Sequence, residues 1–100
     1  MKEINFPPFQ EEEIPLWVDA IVEERNSLTE FLKMRNIHIR EAWPAIHRNP
    51  PFHSYGSDKD FPVSSKISDN VIWLPNGPAL QDEDINYICE NIKAFYRENK

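Results

Sequence analysis

The sequence predicts an α+β domain in which helices pack on one face of a small sheet of about three strands, antiparallel or mixed. Three observations lead to this class. Short runs rich in β-branched and aromatic residues are typical of strands. Longer segments place apolar side chains three and four positions apart, which is the spacing of one helix face. Prolines and turn residues separate these segments, and the resulting order is β-α-β-loop-α-β-α.

Composition excludes several classes of function. The 100 residues carry 17 acidic and 11 basic side chains, a net charge of −6 that does not suit a nucleic-acid-binding surface. The single cysteine, Cys89, excludes an internal disulfide and a cysteine-based zinc site. Only two glycines occur, so no glycine-rich phosphate loop is expected. Without a signal peptide or a long apolar run, we expect a cytoplasmic protein with no nucleic-acid or membrane partner.

The beginning of the chain is predicted to be an extended arm or linker over residues 1–13, followed by one domain over residues 14–100. Two adjacent prolines prevent a helix in the arm, and three consecutive glutamates follow them. The first strand is expected at residues 16–22, with the sequence LWVDAIV. Asp19 interrupts its apolar run, which indicates that one face of this strand reaches water or a partner.

A first helix is predicted from about residue 26 to residue 35. Its apolar positions share one face: Leu28, Phe31 and Leu32. Ser27 and Glu30 have the spacing of a capping box at the helix start. Asn36 follows where helices commonly end in a residue with left-handed backbone angles, so we expect that conformation there.

The middle of the chain combines a second strand with a long irregular segment. Residues 37–43 alternate between apolar and polar side chains, as a half-buried strand does, and Pro44 ends the strand. Residues 44–62 are rich in proline and are predicted to be a loop. This loop carries several aromatic residues, and we expect them to pack on another surface.

The last third of the chain is predicted to form a short helix at 63–70, a buried strand at 71–74 and a long helix at 82–97. The long helix has one apolar stripe: Ile85, Ile88, Cys89, Ile92, Phe95 and Tyr96. Because Cys89 lies on this stripe, we expect its thiol to be buried and inert.

Three groups of residues are candidates for chemistry. The spacing of the three histidines matches no common metal motif, so no metal site is predicted. The serines and lysine at 64–66 lack the surroundings of a nucleophile and its base. Arg40, on the polar side of the second strand, and His47, in the following loop, are suited to bind an anionic group together. Taken on these two residues alone, a surface arginine and a locally packed histidine are the favoured explanation.

Two segments of the chain carry an ordered series of motifs. In the first, the stretch 28–37, which holds the predicted helix and its end, is followed by Arg40, Trp43, Ile46-His47 and Pro50 with Phe52. In the second, Phe61-Pro62-Val63 is followed by Leu74-Pro75, Glu83-Asp84-Ile85 and Phe95-Tyr96. Together they resemble the C-terminal region of the DegT/DnrJ/EryC1/StrS family of pyridoxal-phosphate sugar aminotransferases. The similarity covers roughly residues 14–97. The departures from the family pattern are Asn36 for glycine, Ala45 for proline and Gln81 for a serine or threonine helix cap.

The resemblance implies a C-terminal small domain like that of the fold-type-I aminotransferases. Pyridoxal phosphate and its lysine would belong to a large domain that is not part of this chain, so no catalytic or cofactor-binding residue is expected here. The parent enzyme would move an amino group from glutamate to a nucleotide-linked keto-sugar and would be a homodimer. We expect His47, then Arg40 and Trp43, to contact that substrate. The alternative is a free-standing, non-catalytic module that binds nucleotide sugars or another protein.

Overall fold

The computed structural model describes residues 2–14 and 16–98, which form an α+β domain. The predicted fold class is confirmed. The described strands make one antiparallel sheet in the order β1-β2-β4-β3: β1 Ile4–Asn5, β2 Val18–Val22, β3 Arg40–Glu41 and β4 Val71–Leu74. The described α-helices are α1 Arg25–Lys33, α2 Pro62–Asn70 and α3 Asp82–Glu98. Two 3-10 helices, Ile46–Arg48 and Pro50–Tyr55, lie in the long segment between β3 and α2.

The sheet has four strands rather than about three, because the predicted arm contributes one. In β1, Ile4 pairs with Val22 and Asn5 pairs with Ile21 of β2. The two prolines that follow end this strand without preventing it. The first residue of the predicted arm, and residues 15, 99 and 100 of the predicted domain, lie outside the described residues.

The two faces of the sheet have different roles. Ala20 and Val22 on β2 point to the same side as Ile72 on β4, and helices α1 and α3 cover that side. The helices bury the following side chains there: Leu28, Leu32, Ile92, Phe95 and Tyr96. Burying one apolar side chain of this size contributes about 1.5–3 kcal/mol, so this cluster is the main source of stability. The opposite face carries Asp19 on β2 and Trp73 on β4, which pair directly.

Helix α2 packs differently from the other two helices. Its buried residues are the small polar Ser65 and Ser68, and neither belongs to the main core cluster. The Ser68 hydroxyl accepts a hydrogen bond from the backbone N–H of Ala45 at 3.0 Å. Helix α2 is therefore held against the long loop, and it continues directly into β4.

The start of α1 is not the predicted capping box. The helix begins at Arg25, so Ser27 lies inside it, and Glu24 precedes it with a left-handed backbone and no side-chain cap. The Arg25 guanidinium instead donates to the carbonyl of Ser68 at 2.7 Å, which fixes α1 to the end of α2. The end of the helix agrees with the prediction, since Asn36 has φ of 60°.

Two further predictions differ from the structure. The second strand is only Arg40–Glu41, although Ile37 is buried and Ile39 packs against the core. Cys89 is exposed, so the expectation of a buried thiol was wrong. Helix α3 has 17 residues, about 25 Å. Its buried residues Ile92, Phe95 and Tyr96 lie in the second half, and Ile88 packs partly buried against the core cluster. No helix within the described ranges is long and apolar enough to cross a membrane.

Candidate functional site

A mainly apolar cavity lies between the long loop and α2. Its volume is about 630 Å³. Most of its wall is aromatic or aliphatic, and the lining includes Trp43, His47, Phe52, Tyr55, Phe61 and Ile67. The loop aromatics Phe52, Tyr55 and Phe61 gather around this cavity but remain exposed, so the expected packing on another surface is not seen for them within the described residues. A mostly apolar cavity with a few polar groups is the usual form of a small-molecule site. We refer to it as the aromatic cavity.

His47 is the most deeply placed polar residue of the aromatic cavity. It lies in the first 3-10 helix and is only 7% exposed. Its Nε2 is 2.7 Å from a carboxylate oxygen of Asp58 and 3.2 Å from the hydroxyl of Ser65. Its ring stacks on Phe61 with 4.9 Å between the ring centroids. These contacts hold the imidazole in one orientation.

Arg48 connects the loop to α2 through two carboxylates. Its guanidinium lies 3.0 Å from Asp58 and 2.7 Å from Asp69. The hydrogen bonds from Arg48 and then His47 lower the pKa of Asp58 to about 2. The same hydrogen bond from Arg48 lowers the pKa of Asp69, and the two carboxylates raise the pKa of Arg48. Exposed ion pairs of this kind contribute little stability, so we interpret the network as setting the position of the loop.

A row of three tryptophans covers the sheet face opposite the core. Trp73 stacks on Trp17 with 4.4 Å between ring centroids, and Trp43 meets Trp73 edge-to-face at 5.4 Å. The Trp73 indole N–H donates to Asp19 at 2.7 Å. Trp17 is 46% exposed and Trp43 is 73% exposed, so much of this apolar surface faces solvent. We refer to these three residues as the tryptophan face.

The structure brings together two of the three predicted site residues. His47 and Trp43 both line the aromatic cavity. Arg40 pairs with Trp73 across the sheet and is not part of the cavity lining. Arg40 therefore lies on the strand next to Trp73, beside the cavity wall rather than in it, and its joint role with His47 stays a prediction.

The sequence interpretation missed Asp58 and Arg48. Asp58 is 11 positions from His47 within an irregular loop, and no periodic pattern relates the two. Arg48 directly follows His47, but its pairing with Asp58 and Asp69 depends on how the loop folds back on α2. The only sequence signal for this network was the mixture of charges around an aromatic-rich loop.

Comparison with known proteins gives the family. The profile of the DegT/DnrJ/EryC1/StrS aminotransferase family matches residues 9–93. The chain belongs to this family. It is 30% identical over 86 residues to the GDP-perosamine synthase of Escherichia coli O157:H7, an alignment of 82% of this chain and 23% of that protein. It is 33% identical over 76 residues to the pleiotropic regulatory protein of Geobacillus stearothermophilus, an alignment of 74% of this chain and 20% of that protein.

Solved structures also share the fold. S. venezuelae DesV, in complex with a ketimine intermediate, superposes with a TM-score of 0.81 at 20% identity, over 93% of this chain and 26% of that chain. TlmJ from Streptoalloteichus hindustanus, an aminotransferase, superposes with a TM-score of 0.76 at 16% identity, over 100% of this chain and 28% of that chain. The family member described here thus spans about a quarter of the length of the proteins it matches.

The described residues do not fit pyridoxal phosphate, the cofactor that the family implies. That cofactor needs a lysine amine inside its site. No lysine of the described ranges lines the aromatic cavity, and Lys66 on α2 is exposed. Nor do the described residues include a group of three or more histidine, cysteine, aspartate or glutamate side chains placed to hold a metal ion.

Proposed function

We propose that this chain is the C-terminal small domain of a pyridoxal-phosphate-dependent nucleotide-sugar aminotransferase. The whole protein would be a cytoplasmic homodimer that transfers an amino group from glutamate to a nucleotide-linked keto-sugar. The observation that carries the proposal is the position of Trp43. This residue belongs both to the tryptophan face and to the wall of the aromatic cavity. The apolar surface and the cavity are therefore continuous, as expected where a domain closes over a shared cleft.

The tryptophan face supports the presence of a second domain. Contiguous exposed apolar surface is uncommon on monomeric proteins and marks sites of interaction. Trp17 and Trp43 supply such surface on the sheet face that α1 and α3 leave uncovered. We assign this face to the large domain, which would carry the cofactor.

The role of this chain in the reaction is to hold the substrate. His47 is oriented by Asp58 and lines the aromatic cavity, so it is suited to contact the sugar. Without a lysine in the cavity, the isolated chain is expected to show no turnover. Pyridoxal phosphate bound in the large domain would supply the electron sink for amino transfer.

The test is an assay on the complete reading frame that contains this chain. Glutamate-dependent amination of nucleotide keto-sugars is followed by mass spectrometry. We expect His47→Ala to lower kcat/KM for the sugar roughly 3–10-fold, the effect of losing one hydrogen bond, and to leave the cofactor absorbance unchanged. His38→Ala is the matched control, because His38 is exposed and does not line the cavity. Absence of amination with every keto-sugar tried contradicts the proposal.

The exposed tryptophan face is also compatible with a free-standing binding module. The two functions differ in what this surface contacts. If it normally packs on a large domain, the isolated chain should self-associate and bind an apolar dye. A strictly monomeric chain in sedimentation, without dye binding, favours the free-standing module instead.

A further inference from the structure

The hydrogen bonds of His47 fix which of its nitrogens carries the proton. Asp58, with its pKa near 2, is a carboxylate at neutral pH and accepts only. Ser65 has one hydroxyl proton, and its nearest acceptor is the carbonyl of Phe61 at 2.7 Å. The serine oxygen is then left to accept from His47 at 3.2 Å. The contact with the Asp58 carboxylate requires a hydrogen on Nε2. The Ser65 hydroxyl, which also lies 3.2 Å from Asp58, can accept from the same hydrogen.

The second ring nitrogen is left for a ligand. A neutral imidazole carries one N–H, so a hydrogen on Nε2 makes Nδ1 an acceptor. Within residues 2–14 and 16–98, no group forms a hydrogen bond with Nδ1 of His47, whereas Nε2 has two partners. His47 lines the aromatic cavity and also a second, open pocket beside Arg48 and Asp58, and Nδ1 is its ring nitrogen without a partner among the described residues.

The charge of the cavity restricts the ligand further. In the described parts of the chain, the lining includes no lysine, arginine, aspartate or glutamate. Arg48, close by, is already paired with Asp58 and Asp69, and Arg40 lies on the sheet. A diphosphate placed in this cavity would lose its hydration without gaining a cation, which is strongly unfavourable. An uncharged ring would gain contact with the aromatic walls.

We infer that the aromatic cavity takes an uncharged ring bearing an N–H or O–H donor, and that this donor bonds to Nδ1 of His47. Asp58 is the positioning residue, because it holds His47 as the Nε2–H tautomer. The inference rests on the proposed function and refines it. The cavity holds the sugar or the base of the nucleotide sugar, and the diphosphate lies elsewhere.

The tautomer is tested by NMR on the uniformly ¹⁵N-labelled chain. Two-bond ¹H–¹⁵N correlations distinguish the two neutral tautomers and the imidazolium form of His47. We expect protonated Nε2 and unprotonated Nδ1 at about pH 8, above the ordinary titration range of imidazole. The Nδ1–H tautomer or the imidazolium form overturns the inference.

The role of Asp58 is tested by a pair of variants on the same loop. In Asp58→Asn we expect the His47 signals to report a mixture of tautomers, because the amide no longer favours a hydrogen on Nε2. In the control Asp60→Asn we expect the wild-type pattern, since the Asp60 carboxylate bonds Ser57 and not His47. Circular dichroism confirms that both variants are folded. An unchanged tautomer in Asp58→Asn removes Asp58 as the positioning residue.

The ligand class is tested by titrating the chain separately with a nucleoside, a methyl hexoside and pyrophosphate. We expect the nucleoside or the hexoside to shift the His47 Nδ1 and Trp43 indole signals at up to about 20 mM, an ordinary range for ligand fragments. The one that does so identifies the part of the nucleotide sugar that is bound. Pyrophosphate should leave both signals unchanged. Shifts with pyrophosphate, or no shift with either uncharged ring, overturn the inference without bearing on the amination assay.

Discussion

Replacing Trp73 with alanine should destabilise the domain more than replacing either tryptophan that it contacts. Trp73 lies on β4, stacks on Trp17 and meets Trp43 edge-to-face. Its indole N–H also donates to Asp19. Trp73→Ala therefore removes two ring contacts and one hydrogen bond, whereas Trp17→Ala and Trp43→Ala each remove one of these ring contacts.

The magnitude follows from these contacts. Each aromatic pair contributes about 0.5–1.5 kcal/mol beyond the area it buries. A hydrogen bond contributes about 0.5–1.5 kcal/mol net. Trp73→Ala is then expected to lower the free energy of unfolding by about 2–4 kcal/mol, which corresponds to roughly 10–20 °C in Tm for a domain of this size. Since small domains have about 5–15 kcal/mol of stability, the variant should still fold.

The assay is urea unfolding followed by far-UV circular dichroism, because tryptophan fluorescence changes with every variant. Double-mutant cycles isolate the pairwise terms. We expect coupling of about 0.5–1.5 kcal/mol between Trp73 and Trp17, and between Trp73 and Trp43. Trp17 and Trp43 should show almost none, because no ring contact joins these two described residues. Equal coupling in all three pairs, or none in any, would refute the reasoning.

Three further predictions follow from single contacts. Arg48 lowers the pKa of Asp58 to about 2, so this carboxylate contributes stability above its unfolded pKa of 3.8 that is lost as the pH falls through about 2. The difference in urea midpoint between wild type and Arg48→Met should therefore shrink from pH 5 to about pH 2. A difference that stays constant with pH would contradict stabilisation of the Asp58 carboxylate by Arg48. Asn36 has φ of 60°, so Asn36→Ala should lower the free energy of unfolding by about 1–2 kcal/mol and Asn36→Gly by much less. Equal Tm values for the two variants would contradict this explanation. Cys89 is exposed, so a thiol reagent should modify it in the native state. If modification occurs only after denaturant is added, Cys89 is not exposed.

Local patterns in the sequence were sufficient to predict the α-helices and the central strands β2 and β4. Leu28 and Leu32 share one face of α1, and Ile92 and Phe95 share one face of α3, because helical periodicity depends only on nearby residues. The burial of Cys89 could not be inferred in the same way. It depends on how far α3 extends beyond its partners, which is a property of the assembled domain.

Long-range pairing explains the other differences. Ile4 and Asn5 form strand β1 because Ile4 pairs with Val22 of β2. Two residues are too few to produce an alternating pattern in the sequence. Half of the candidate site was predictable, since Trp43 and His47 carry the family motif and both line the cavity. The role of Asp58 could not be predicted, because its contact with His47 depends on the folded path of an irregular loop.

The order of the strands has a consequence for synthesis of the protein. The central strands β2 and β4 are neighbours in the sheet but are separated by about 50 residues of chain. A ribosome adding about 5–20 residues per second needs roughly 3–10 s to make that interval. During this time β2 has only the two-residue β1 as a partner, and Ala20 and Val22 have no β4 to pack with. The nascent chain is therefore open to mispairing or chaperone capture until Leu74 has emerged.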